Sequence, residues 1–277
     1  MKIGFIGQGF IGKNYADDFE ARGYSVVRYS FEEPFVKNKE EITECDIVFI
    51  AVPTPTTPVG FDYSIVKAAL SIIGEGKIAV VKSTVLPGTT KDLQKAFPLI
   101  TLLFSPEFLS EATAAYDAAN PFSNIVGMPI DDVAHRDGAI AVHKVLPKAG
   151  FILTCDSDEA EIIKYTHNIS GYTQIVTFNM MYEMARALGH DWGNIGKAVA
   201  VDPFVCSHYT NPIHKSGRGA GGHCFIKDFA AFADLYEKRV GEKEGINALR
   251  AFEEKNIKLL KDSNKDSDLL EGVYGKD

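Results

Sequence analysis

Cysteine is scarce in this chain of 277 residues, which has Cys45, Cys155, Cys206 and Cys224 and no others. None belongs to a C-x-x-C pair and no short, dense framework joins them. The pattern argues for reduced thiols in a reducing compartment, against structural disulfides and against a zinc site. Basic charge is in deficit as well, with 29 Lys and Arg against 37 Asp and Glu, a net charge of −8. A nucleic-acid surface and an anionic membrane are therefore poor partners, although a local basic cluster can still grip a phosphorylated small molecule. No apolar run approaches the ~20 residues that span a bilayer. The opening "MKIGFIGQGF" lacks the long apolar core and small-residue cleavage site of a signal peptide. These absences lead us to expect a cytoplasmic protein with no membrane span, no internal repeat and no low-complexity tract.

What is present points to two domains, because 277 residues exceed one compact core. Over the first half, runs rich in Val, Ile and Phe alternate with helical patterns. "KIGFI" (2–6), "SVVRY" (25–29), "DIVFIAV" (46–52), "KIAVVK" (77–82) and "LITLLF" (99–104) suit strands buried on both faces. "SNIVGMP" and "FILTC" read as further strands. The rhythm predicts an α/β domain with a doubly wound parallel sheet of Rossmann type over residues 1–155. From 156 to 277 we expect an all-helical domain built on one long central helix. The stretch 157–189 runs without proline, with Ser157 as its cap, Glu161 in its opening turns and Gly171 as a place where it could bend. The polar tail 262–277 reads as frayed.

"GFIGQGFIG" sets Gly7, Gly9 and Gly12 in G-x-G-x-x-G spacing, directly after a strand and opening a helix. The first glycine permits a tight turn, the second lets backbone approach a pyrophosphate, and the third lets helix and strand pack closely. The helix N-terminus then offers amides to the phosphates. The acid that commonly holds the ribose 2′-hydroxyl is missing at the end of the second strand, where Ser30 stands with Arg28 nearby. Ser30 with Arg28 suits a 2′-phosphate and Glu32 suits a 2′-hydroxyl, so NAD is expected with NADP still open.

Further along, "VKSTVLPGTT" (81–90), "SPEFLSEATAAYD" (105–117), "NPFSNIVG" (120–127), "EAEIIKYTHN" (159–168), "DPFVCSHYTNP" (202–212) and "GAGGHCFIKD" (219–228) follow one another in the order seen in one family. Together they resemble the UDP-glucose/GDP-mannose dehydrogenases, the nucleotide-sugar 6-dehydrogenases, over residues 1 to about 235. The resemblance implies NAD-dependent, four-electron oxidation of a sugar C6 alcohol to a carboxylate through a covalent thioester. UDP-glucose to UDP-glucuronate is the best single reading, in a homodimer formed through the helical domain.

On this resemblance Cys224 is the nucleophile, with Lys164 and Asn168 stabilising oxyanions from one face of the long helix. Asp228 orients water or assists proton transfer, and Glu107 is the general base for thioester hydrolysis with Thr84 positioning the water. The cofactor falls against Gly7, Gly9, Phe10, Ile11, Gly12, Ser30, Pro53, Thr54, Thr84 and Glu111. The sugar nucleotide falls against Glu107, Phe108, Leu109, Lys164, His208, Tyr209, Asn211, Arg218 and Gly221. His223 would lower the thiol's pKa only if the two side chains met. Taken alone, the residues also allow plainer readings: Cys224 as a small core residue, Lys164 as a solvated surface charge, and Glu107 as a helix N-terminal acid.

The pattern also breaks in two places. Phe204 stands in "DPFVC" where the family usually has an arginine that reaches the neighbouring subunit's substrate. The family's third, C-terminal nucleotide-binding domain has no counterpart in these residues, so we expect either a truncated chain or a short form with a reorganised or different substrate pocket. Two alternatives therefore stay open, a two-electron dehydrogenase of β-hydroxyacid type acting on a smaller substrate, and a non-catalytic cofactor-binding remnant.

Overall fold

A computed structural model describes residues 1–215 and 217–276. Ser216, which opens the glycine-rich stretch, and Asp277, which ends the tail, lie outside the described residues. In chain order the elements are β1 (Lys2–Ile6), α1 (Phe10–Ala21), β2 (Ser25–Tyr29), α2 (Lys39–Thr43), β3 (Ile47–Ile50), β4 (Thr56–Thr57) and β5 (Gly60–Phe61). Then follow α3 (Ser64–Leu70), β6 (Ile78–Val81), α4 (Thr89–Ala96), β7 (Thr101–Phe104), α5 (Ala114–Ala119), β8 (Ser123–Met128), α6 (Val133–Val145) and β9 (Phe151–Asp156). The last are α7 (Ser157–Ala187), α8 (Gly193–Ala200), β10 (Ile213–His214), β11 (Gly217–Arg218), α9 (Gly222–Arg239), α10 (Lys243–Asp262) and α11 (Ser267–Tyr274). They form two compact units, one of Met1–Thr54 with Asp62–Lys164, the other of Pro55–Phe61 with Tyr165–Asp277.

The first unit is a seven-stranded sheet in the order β2-β1-β3-β6-β7-β8-β9. Every residue of β3 is buried, as are the last three of β6 and of β7, so these central strands are covered on both faces. The strands are parallel except where β8 meets β7 antiparallel, with Phe104 opposite Gly127. This departs from the wholly parallel sheet expected. An apolar run reports that a strand is buried and says nothing of its direction. The core is aromatic: Phe5 stacks on Phe49 at 5.1 Å, and Phe19 meets Phe5 edge-on at 5.2 Å.

In the second unit α7 continues as an unbroken helix past Gly171. That glycine serves packing, since a Cβ there would lie 2.9 Å from the Tyr209 ring and 3.0 Å from that of Phe225. Tyr172 of α7 stacks on Phe229 of α9 with centroids 3.8 Å apart, in a cluster completed by Val176, Ala220 and Leu259. The unit is helical but not purely so, because β4–β5 and β10–β11 form two short antiparallel pairs.

The tail differs most from expectation. Where its polar composition reads as frayed, residues 267–274 form α11. Leu270 and Val273 bury themselves with Ile226, Ala230 and Leu260, and the Tyr274 hydroxyl donates to Glu253 at 3.0 Å. Two apolar residues three positions apart make one narrow helical face, which suffices once α9 and α10 supply the opposite wall. Leu270→Ala should therefore destabilise the protein by about 2–4 kcal/mol in urea unfolding. A frayed tail would leave the midpoint unmoved.

Candidate functional site

The glycine loop in the first unit has the shape its spacing implies. Gly7 adopts φ +91°, and a Cβ there would lie 2.1 Å from the Ala51 carbonyl oxygen. A Cβ on Gly12 would lie 1.9 Å from the Gly7 carbonyl, so α1 packs against the loop with no room for a side chain. Gly9, by contrast, faces open space. It is also the N-cap of α1, and no side chain caps that end, nor does an acid occupy the first turn. The amides of this turn thus lie beside open space, which fits a dinucleotide pyrophosphate. Phe10 and Asn14 of α1, with Glu111–Tyr116, line an open cleft of about 500 Å³. Ile11 is half-buried beside them.

Around the ribose position, the Ser30 hydroxyl donates to the Glu32 carbonyl at 2.6 Å. Arg28 does not stand ready for a 2′-phosphate, because it is ion-paired to Asp17 at 2.6 Å and Glu20 at 2.7 Å. Two carboxylates already neutralise it, which matches NAD better than NADP. Pro53 leads to Thr54, whose hydroxyl donates to the Thr84 carbonyl at 2.7 Å, bringing together two predicted cofactor contacts from the ends of β3 and β6.

Glu107 follows β7 on irregular backbone, so its helix-terminus reading does not hold. It is buried, its carboxylate accepts from the Leu109 amide at 2.8 Å, and Lys164 of α7 reaches it at 2.9 Å. The Lys164 ammonium also donates to the Glu107 carbonyl at 2.7 Å and lies 5.4 Å from the Phe108 ring centroid. Lys164 is therefore not the solvated surface charge that a helix lysine usually is. Burial alone would push the Glu107 carboxyl up. The Lys164 charge, the Leu109 amide and, more distantly, Lys82 outweigh it and hold the group below the usual carboxylate range. Glu107 is thus ionised at neutral pH, able to accept a proton although a weak base.

In the second unit Cys224 is exposed on the first turn of α9. Four residues on, Asp228 is buried at 1% exposure, held by the Asn168 amide at 2.7 Å and the Lys227 ammonium at 2.5 Å. Asn168 and Asp228, two of the candidate site residues, are thus brought together. The His208 and Tyr209 rings meet edge-on at 4.8 Å, and the Asn211 side chain accepts from the Ile213 amide at 3.1 Å. Arg218 is committed within its own unit, bonded to Asn179 at 3.0 Å and Glu183 at 2.8 Å with its guanidinium over the Tyr182 ring. Gly221 lies too close to Asp266 for a side chain.

Residues 29–144 match the NAD binding domain of the UDP-glucose/GDP-mannose dehydrogenase family, and residues 158–256 match that family's central domain. The chain belongs to this family. The Bacillus subtilis relative YtcA is 30% identical over an alignment of 254 positions that covers 86% of this chain and 56% of that protein. A UDP-glucose 6-dehydrogenase of Streptococcus pneumoniae is 28% identical over 283 residues, covering 87% of this chain and 71% of that one. The structure of a UDP-glucose dehydrogenase from Pyrobaculum islandicum superposes with a TM-score of 0.77 at 26% identity, over 91% of this chain and 68% of that one. This member of the dehydrogenase family thus spans little more than half the length of the first of these relatives. Among the described residues, no helix is long and apolar enough to cross a membrane, and no group of three His, Cys, Asp or Glu could hold a metal ion.

Sequence reasoning missed Lys82 and Lys227. Lys227 is adjacent to Asp228 in "FIKD", a signal that was legible. Lys82 closes the apolar run "KIAVVK" and reads as a strand-end surface charge, yet it is 2% exposed. Its ammonium donates to the Ser105 carbonyl and hydroxyl at 3.2 and 3.3 Å and lies 4.4 Å from the Tyr15 ring centroid. Burial pushes its pKa down to about 7, with Glu107 opposing and Lys164 reinforcing the shift. An unfolded lysine titrates near 10.4, so the folded state carries the full penalty below pH 7 and sheds it as pH rises towards 10. Melting temperatures of wild type and Lys82→Met should show the wild type gaining on the variant between pH 7 and 10. Parallel curves across that window would contradict a buried, depressed lysine.

Proposed function

We propose that this protein catalyses NAD-dependent, four-electron oxidation of the C6 alcohol of a nucleotide sugar, with UDP-glucose giving UDP-glucuronate, in the cytoplasm. The observation that supports it best is a pair of buried polar contacts one turn apart on α7. Lys164 meets Glu107 at 2.9 Å, and Asn168 meets Asp228 at 2.7 Å on the same helix as Cys224. A two-electron alcohol dehydrogenase has no use for a thiol, and a remnant that only bound cofactor would have no use for this set.

The Gly7–Gly12 loop and the α1 amides would hold NAD, which when bound would supply the hydride acceptor for both oxidations. The Cys224 thiolate adds to the C6 aldehyde, forming a C–S bond and an alkoxide that takes a proton as the thiohemiacetal. Loss of the hydroxyl proton and of hydride from that carbon leaves a thioester. Water then attacks the carbonyl, the C–S bond breaks, and the carboxylate leaves with Cys224 restored. In this reading Lys164 and Asn168 stabilise the oxyanions, and Glu107 takes the proton of the attacking water with Thr84 positioning it. Asp228 fixes Asn168 and assists proton transfer. Phe108, Leu109, His208, Tyr209, Asn211, Arg218 and Gly221 contact the sugar nucleotide, Arg218 only if it leaves Glu183. We further assign a homodimer to the helical unit, since Met181, Met184 and Leu188 of α7 and the residues after it expose an apolar stripe.

Titrating limiting UDP-glucose against excess NAD should yield two NADH per sugar. Cys224→Ser should stop short of the carboxylate, at no more than one NADH. A single NADH per sugar in wild type, unaffected by the substitution, would favour the two-electron alternative. No turnover with any sugar nucleotide despite NAD binding would favour the non-catalytic one.

A further inference from the structure

The backbone that delivers Cys224 to the first turn of α9 is gripped by side chains from a single later stretch. The Arg218 amide donates to the Ser263 hydroxyl at 2.9 Å, and the Lys265 ammonium donates to the Gly219 carbonyl at 2.9 Å. Asn256 holds Ala220 twice, accepting from its amide at 2.7 Å and donating to its carbonyl at 2.9 Å. Asp266 completes the set by accepting from the Gly222 amide at 2.7 Å. A Cβ on Gly221 would lie 2.0 Å from the same Asp266 oxygen. Asn264 and Asp266 both adopt left-handed backbone, at φ +51° and +54°. Such conformations persist in non-glycine residues when the surroundings over-determine them.

Asp266 differs from the other three holders in placing a carboxylate against the N-terminal amide of the helix that carries Cys224 two residues later. Anions are stabilised at a helix N-terminus, and a thiolate there competes with any carboxylate that already holds the amides. We propose that Asp266 is a positioning residue that damps the reactivity of Cys224 through the Gly222 amide. The proposal deepens the nucleophile role given to Cys224 above and does not need turnover to be tested. Other charges bear on the same region: His223, Lys227 and Asp228 on α9, Lys265 beside Asp266, and Lys215 facing Lys265. Lys227 is paired with Asp228, and Lys265 is bonded to Gly219.

The test is the rate of iodoacetamide labelling of Cys224 against pH, read by peptide mass spectrometry so that the exposed Cys206 serves as internal control. Asp266→Asn keeps a hydrogen-bond acceptor and removes the charge. Asp266→Gly suits the left-handed backbone and removes both, so at least one variant is expected to fold. Both should label Cys224 roughly three- to tenfold faster at pH 7, the effect of deleting one charge within a helical turn, with the pH profile moved to lower pH and Cys206 unchanged. An unaltered Cys224 profile in both variants would overturn the proposal. A rise in Asp266→Gly alone would overturn it too, by showing that the hydrogen bond and not the charge sets reactivity. Because labelling proceeds without sugar nucleotide or NAD, a failed dehydrogenase assay leaves this result readable.

Discussion

The buried ion pair between Lys164 and Glu107 is the contact on which the proposed chemistry leans. Each partner is about 95% buried, and each would be costly to bury alone. Removing one partner of such a pair costs about 3–5 kcal/mol because the other charge stays behind uncompensated. The pair therefore fixes the rotation of α7 about its own axis. A slip of one residue would turn the helix by about 100° and carry Lys164 away from Glu107. Asn168, one turn further on, is locked in the same register by Asp228 at 2.7 Å. One helical face thus carries two committed polar groups, four residues apart in one unbroken helix.

A comparable logic governs the loop before α9. Glycines at 219, 221 and 222 allow backbone to run where side chains would collide with Asn256, Lys265 and Asp266 or would be strained by a positive φ. The outcome is a cysteine, the proposed nucleophile, on an exposed first turn whose backbone is held by four side chains from α10 and the turn that follows it. Catalytic side chains gain precision when their supporting shell is rigid, and here the shell comes from a segment that composition alone marks as dispensable.

Much of this was legible. Strands announce themselves as β-rich runs, and seven stand where the runs place them, although β2 and β9 at the sheet edges are not buried on both faces. The loop Gly7–Gly12 could be read because its glycines answer separate steric demands, each visible in what a Cβ would meet. Asn168 and Asp228 are each marked by the family resemblance, although their pairing is visible only in the structure. The direction of β8 was not legible, since hydropathy carries no sign along a strand. Neither was α11, where Leu270 and Val273 are too sparse an apolar signal until their partners are known. Lys82 escaped because a lysine ending a strand is nearly always solvated, and only the three-dimensional placement of Tyr15 and Ser105 shows it enclosed. Glu161 was expected in the opening turns of α7. Only the structure shows that it reaches across to accept from the amides of Gly88 and Thr90 at 2.7 and 2.9 Å.

The central claim is that Cys224 carries the substrate's acyl group, and a thioester can be trapped and weighed. Glu107→Gln, mixed with UDP-glucose and NAD and quenched in acid, isolates the step at which water would be activated. Peptide mass spectrometry should find the Cys224 peptide enlarged by a UDP-glucuronyl group, after a burst of about two NADH per protein. NADH formation with an unmodified Cys224 peptide at every quench time would contradict the account.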